Sequence, residues 1–270
     1  MNDIKYKKAF GQNFIYDTNL LKAIVTDAGV GNSDEVLEIG VGAGTLTKQL
    51  ASKAKKVVCY EIDESLEDVI KSNISEFNNV KINFKDILKA SENEINGQFC
   101  GEFKIVANLP YYITTPIIFK FLEGNYNLSS LTIMVQKEVG ERICSKEGKK
   151  DYGILSVMIQ SFADVKIVRS INRQMFTPVP NVDSCLVKID INKNKFNINN
   201  VLEYRNFINT CFSMRRKTLL NNLKSYASKE YIIKALNELN LKESVRSEEI
   251  SIKLLIDLFN ILNKKINVYV

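Results

Sequence analysis

Three glycines at alternate positions, Gly40, Gly42 and Gly44, constrain this chain more than anything else in it. They stand between a short apolar run, Glu35-Val36-Leu37-Glu38-Ile39, and a segment with helical spacing, Leu46 to Ala54. A strand that turns through glycines into a helix is the first half of a βαβ unit, because glycine adopts left-handed angles freely and lets the backbone approach a ligand closely. The chain repeats this alternation. A helix over Asn19 to Ala28 comes first. Behind the glycines come a strand over Lys56 to Glu61, a helix over Glu64 to Ser75, and a strand over Val80 to Phe84 that runs to Asp86. Phe103 to Ala107 forms the next strand, followed by Asn108-Leu109-Pro110-Tyr111, a helix over Pro116 to Leu122 and a strand over Leu131 to Gln136. Such spacing predicts an α/β fold, a Rossmann-like doubly wound parallel sheet.

The pattern changes after Ser156. Val165-Lys166-Ile167-Val168 and Cys185 to Ile189 read as a closing strand pair around Phe176-Thr177-Pro178-Val179-Pro180. Asn192 to Asn200, rich in Asn and Lys, reads as a linker. Beyond it, Val201 to Phe212, Lys217 to Tyr226, Glu230 to Leu239 and Glu248 to Leu262 have helical spacing. The expected division is 1-192, a catalytic sheet domain, and 193-270, a small all-helical domain. Charge separates the two. The formal net charge is +6, and residues 193–270 carry 14 basic and 7 acidic side chains, which exceeds that whole surplus. A basic module beside a near-neutral one points to a polyanion partner, with a merely solvated surface as the alternative.

Other features narrow the chemistry. Histidine is absent, so the commonest general base and metal ligand is unavailable. The five cysteines are far apart and none forms a Cys-x-x-Cys pair, which fits reduced, mostly buried thiols and no metal site. No apolar run reaches membrane-span length and the first ten residues lack a signal core, so a cytoplasmic protein is expected.

The glycine loop lacks the third glycine of a dinucleotide fingerprint, since Thr45 stands where Gly is needed. Its order, Glu-x-Gly-x-Gly-x-Gly, instead resembles the first motif of class I methyltransferases, which implies S-adenosylmethionine as cofactor. Glu61, at the end of the second strand, is placed to accept from ribose hydroxyls. Asp86, at the end of the third, is placed to accept from the adenine amino group, or else caps the next turn. Asn108-Leu109-Pro110-Tyr111 resembles the Asn/Asp-Pro-Pro-Tyr/Phe motif of enzymes that methylate amino groups conjugated to a ring. The lone pair of adenine N6 is delocalised into the ring. Two acceptors, the Asn108 side-chain oxygen and the Leu109 carbonyl, hold both N6 hydrogens, favour a tetrahedral nitrogen and stabilise its developing positive charge. Pro110 fixes the loop, and Tyr111 offers a face for stacking the base. Phe176 is a candidate second wall, or else a core residue.

Further matches run nearly the full length of the chain. They are Gly11-Gln12-Asn13-Phe14-Ile15, Asn108 to Pro116, Phe176 to Ser184, and Phe212 to Leu223 with Arg215-Arg216-Lys217 inside it. Together they are similar to the bacterial small-subunit (16S) rRNA adenine dimethyltransferases, the KsgA family. The resemblance implies dimethylation of N6 on two adjacent adenosines in a hairpin near the 3′ end of that RNA. It implies cofactor contacts at Asn13, Ile15, Gly40, Glu61, Asp86 and Asn108, with Gly42 and Gly44 completing the loop. It also implies a 16S rRNA partner within an immature small ribosomal subunit and a monomeric enzyme. Arg215, Arg216 and Lys217, expected at the start of a helix, are candidate RNA contacts. The alternatives are the antibiotic-resistance methyltransferases of large-subunit RNA, a DNA adenine methyltransferase, and a non-catalytic assembly factor with the same fold.

Overall fold

The structure, a computed structural model, describes residues 13–196, 198 and 200–266, with the backbone alone for 264–266. Residues 1–12, with Gly11-Gln12 of the opening motif among them, lie outside the described residues. The strands are β1 (Phe14–Ile15), β2 (Glu35–Ile39), β3 (Lys56–Glu61), β4 (Val80–Phe84), β5 (Phe103–Asn108), β6 (Leu128–Gln136), β7 (Ala163–Ile171), β8 (Phe176–Thr177) and β9 (Ser184–Ile191). The helices are α1 (Thr18–Ala28), α2 (Thr45–Ala51), α3 (Glu67–Ile74), α4 (Glu92–Asn96), α5 (Thr114–Glu123), α6 (Lys137–Cys144), α7 (Ile154–Gln160), α8 (Val201–Cys211), α9 (Leu219–Asn222), α10 (Lys229–Glu238) and α11 (Ile252–Ile266).

The main sheet has the order β4-β3-β2-β5-β6-β9-β7. Its first five strands are parallel, and β9 runs antiparallel to β6. Every residue of β2 is buried, Glu35 and Glu38 included, so its apolar residues do not alternate with exposed polar ones. The strand order reverses direction at β2, with β3 on one side and β5 on the other. Open α/β sheets bind ligands at such a switch point, outside the carboxyl ends of the strands. β7 is an outer strand, exposed along much of its length and carrying Lys166 and Arg169, a charged edge that resists further pairing. Helix ends are set locally. Asp17 accepts from the Leu20 N–H at the start of α1, and Gly29 closes that helix in the left-handed conformation.

The chain forms two compact units. One contains residues 1–140 and 165–191; the other contains 141–164 and 192–270. This differs from a single division at residue 192, because α7 groups with the C-terminal helices. Within that unit the rings of Tyr204 and Phe259 lie 5.2 Å apart and those of Phe207 and Phe259 5.5 Å apart, while the Tyr204 hydroxyl shares a 2.9 Å bond with Ser161, just after α7. The Tyr152 hydroxyl donates to the Ile250 carbonyl. Residues 141–164 add four basic and four acidic side chains, so the positive excess of this unit is unchanged. Among the described residues no helix is long and apolar enough to cross a membrane.

Candidate functional site

A cavity of about 320 Å³ opens at the switch point of the sheet unit. Its walls come from the carboxyl ends of four adjacent parallel strands. The glycine loop follows β2, Glu61 ends β3, Asp86 follows β4, and Asn108 ends β5. Asn13, Phe14 and Ile15 of the N-terminal segment complete it.

Gly40, Gly42 and Gly44 all have positive φ, the conformation that their spacing requires. At Gly42 a second constraint applies, since a Cβ there would lie 2.9 Å from Cε1 of Phe14. The Phe14 ring thus packs directly on the loop. Gly40 and Gly42 line the cavity, whereas Gly44 caps α2 and lies against α3. The Thr45 hydroxyl donates to the Ile15 carbonyl at 2.9 Å and ties the N-terminal segment to the start of α2.

Glu61 is buried. Its Oε1 accepts from the N–H groups of Ile62 and Asp63, and its Oε2 from Gly42, all at 2.9–3.0 Å. Burial raises its pKa, and these backbone donors oppose the rise. The same carboxylate therefore shapes the glycine loop and leaves Oε2 the less occupied oxygen for a hydroxyl donor. Asp86 is an N-cap and stands at the cavity, and its Oδ1 accepts from Leu88 N–H at 2.9 Å.

The Asn108 side-chain nitrogen donates to the Asn13 carbonyl at 2.8 Å. This bond fixes the amide so that its oxygen is the remaining acceptor. Leu109, Pro110 and Tyr111 also line the cavity. Tyr111 is half-buried, and its hydroxyl shares a 2.9 Å hydrogen bond with Ser184 of β9. Burial raises the Tyr111 pKa, so the phenol stays neutral at physiological pH.

Phe176 is placed differently. It is 2 % exposed, pairs with Ile15 through the β1–β8 ladder, and belongs to the core with Val41, Met134 and Leu186. It supports the wall from behind and is not among the residues that line the cavity. The exposed aromatic at the cavity is Tyr112, 60 % accessible, which sequence reasoning passed over because only Tyr111 stood at the motif position. Glu38 was also passed over as a site residue. It lines the cavity while 1 % exposed, and its only signal was its place at the head of the glycine motif.

Arg215, Arg216 and Lys217 lie in an exposed turn before α9, not within a helix. Thr218 is the N-cap, accepting from Asn221 N–H, so the helix begins only at Leu219. The buried Asn222 donates to the carbonyls of Cys211 and Met214 and so shapes the turn. Arg215 donates to the Lys150 carbonyl, which ties this turn to the segment that carries the exposed Lys146, Lys149 and Lys150.

The residues present suit S-adenosylmethionine. Two carboxylates at neighbouring strand ends would be available to its hydroxyl and amino donors, and the glycine backbone permits close approach. The chain matches the ribosomal RNA adenine dimethylase family over residues 3–264. Ribosomal RNA small subunit methyltransferase A of Clostridioides difficile (strain 630) is 39% identical, covering 98% of this chain and 93% of that protein. The protein of the same name in Clostridium acetobutylicum is 42% identical, covering 93% and 91%. Among solved structures, a dimethyladenosine transferase from Plasmodium falciparum superposes with a TM-score of 0.82 at 29% identity, covering 93% of this chain and 98% of that one. The 23S rRNA methyltransferase ErmE superposes with a TM-score of 0.71 at 25% identity, covering 93% and 100%.

Proposed function

The chain belongs to the ribosomal RNA adenine dimethylase family, and from that premise we propose that it transfers two methyl groups to N6 of each of two adjacent adenosines in a hairpin near the 3′ end of 16S rRNA. The observation that carries the reading is the orientation of Asn108 at the end of β5, fixed by its bond to Asn13. When bound, S-adenosylmethionine supplies an electrophilic methyl group on a sulfonium. The protein's part is to hold the amine. In the first transfer the Asn108 oxygen and the Leu109 carbonyl accept the two N6 hydrogens and turn the nitrogen lone pair toward the methyl carbon; in the second, one of them accepts the single hydrogen that remains. As positive charge develops on nitrogen, the same two oxygens stabilise it, and they do so without reorganising. Tyr111 holds the base by its ring. No imidazole is needed, since the proton lost after transfer comes from a cationic amine and passes readily to water.

The substrate is an immature small subunit, and the enzyme acts as a monomer in the cytoplasm. Support comes from relatives named for the small ribosomal subunit and from the surplus charge of the helical unit. There the exposed Arg215, Arg216 and Lys217 are the residues assigned to grip phosphates. The test offers labelled S-adenosylmethionine with immature small subunits, mature large subunits and duplex DNA in separate reactions. Label in dimethyladenosine of small-subunit RNA alone is the expected result. Label in large-subunit RNA would move the protein to the resistance type, and label in DNA would overturn the RNA reading.

A further inference from the structure

Tyr112 stands just beyond β5, close behind Asn108 and Leu109, the two acceptors assigned to the amine. Tyr111–Ile113 form one turn of 3-10 helix. The backbone of this turn is pinned. The Ile113 N–H donates to the Pro110 carbonyl at 3.1 Å, and the buried Thr114 hydroxyl donates to the same oxygen at 3.4 Å. Three residues complete such a turn, so successive side chains leave it about 120° apart. Tyr111 reaches Ser184 on β9. Tyr112 therefore diverges from it, and its ring is exposed while still lining the cavity. Among the described residues the Tyr112 side chain makes no hydrogen bond and no ring contact. A ring carried on a fixed turn beside a site, with neither face taken, is a surface that a flat ligand can cover.

This ring does not form the opposite wall of a slot with Tyr111. Two walls must face each other across a base, whereas neighbours on this turn point apart. A base stacked on Tyr112 lies beside the base held by Tyr111, as the next nucleotide of a strand does. We propose that Tyr112 is a positioning residue for the RNA, stacking on the nucleotide next to the target adenosine and holding the strand at the mouth of the cavity. This rests on the RNA-methylating function proposed above. With two adjacent adenosines to modify, each is the neighbour of the other. Every base has a π-face, so one ring serves whichever nucleotide is not the target. Such a stack contributes equally before and during transfer. It lowers the concentration at which the complex forms and leaves the limiting rate alone.

The test is single-turnover methyl transfer to immature small subunits at saturating S-adenosylmethionine, with the full-length protein in varied excess. Tyr112→Ala and Tyr112→Leu should each raise the half-saturating enzyme concentration about tenfold, the size of one lost base–aromatic stack, with the limiting rate within about twofold of wild type. Tyr112→Phe should match wild type, because the ring suffices. Calorimetric titration with S-adenosylmethionine should give wild-type affinity for all three variants, which also shows that they fold. Unchanged half-saturation in the alanine variant overturns the proposal. So does recovery by leucine, which would make the contact simple apolar packing, and so does failure of phenylalanine, which would give the role to the hydroxyl. A lost limiting rate at unchanged half-saturation would place Tyr112 on the target base, and weakened cofactor binding would make it a cofactor wall; either overturns the proposal. Wild-type protein that binds the cofactor yet leaves small subunits unmethylated overturns the function itself, an outcome visible before any variant is made.

Discussion

Replacing Asn108 by alanine removes two interactions of different kinds. The first is the 2.8 Å bond from the side-chain nitrogen to the Asn13 carbonyl, which ties the N-terminal segment to the end of β5. Its loss costs about 0.5–1.5 kcal/mol of net stability. Cofactor affinity should suffer similarly, because Asn13 lines the same cavity. The second is the acceptor presented to N6. By analogy with the loss of one preorganised donor at an oxyanion site, its removal should slow transfer by about 10²–10³-fold. The two are separated by single-turnover methyl transfer at saturating cofactor and RNA, where the affinity loss vanishes and the rate loss persists. Asn108→Asp sharpens the comparison. It keeps an acceptor for N6 but places an oxygen against the Asn13 carbonyl, so it should bind cofactor worse than alanine does and yet transfer faster once saturated. An alanine variant within about threefold of the wild-type single-turnover rate would remove Asn108 from transition-state stabilisation.

Three further outcomes are expected. Glu61→Ala should weaken S-adenosylmethionine binding by about 1.5–3 kcal/mol in calorimetric titration. Because Glu61 also holds the N–H groups of Gly42, Ile62 and Asp63, Glu61→Gln should recover only part of the loss. Tyr111→Phe should be mild, costing the Ser184 bond, about 0.5–1.5 kcal/mol, while Tyr111→Ala should sharply reduce kcat/KM; the reverse order in steady-state kinetics would assign the role to the hydroxyl. Alanine at Arg215, Arg216 or Lys217 should weaken RNA binding without changing which adenosine is modified, and removing a cation that neutralises a phosphate should flatten the salt dependence by roughly one unit of slope. Unchanged affinity and slope in all three variants would make that turn a structural element.

Much of the sheet unit is legible in the sequence because its constraints are local. A buried parallel strand is rich in apolar residues, and a close turn needs glycine, so β2 and the loop behind it are both visible. The strand-end acids are visible for a similar reason, since Glu61 ends the apolar run Val57 to Tyr60 and Asp86 follows the alternating strand Val80 to Phe84. What depends on tertiary packing is less readable. Phe176 has the composition of a base-stacking wall, but its pairing with Ile15 turns the ring into the core, and that pairing joins residues far apart in the chain. The cations at 215–217 sit beside a helical pattern, yet the helix starts later because Thr218 takes the cap and Asn222 bends the chain ahead of it. Helix α7 shows neither a side-chain cap nor a polar face strong enough to mark it.

The passage of the chain out of the sheet unit at residue 141, back at 165 and out again at 192 decides how the protein can be dissected. Cutting at the linker yields a C-terminal piece without α7, whose Tyr204 hydroxyl has lost Ser161 and whose apolar interior is open where Val157, Met158 and Ile159 belong. The N-terminal piece keeps that helix but none of the helices that shelter it, and so acquires a sticky flank. A helical fragment fit for RNA-binding measurements has to be spliced from 141–164 and 192–270. Recombination between relatives is bound by the same rule, since a crossover at residue 192 exchanges only part of a cooperative body.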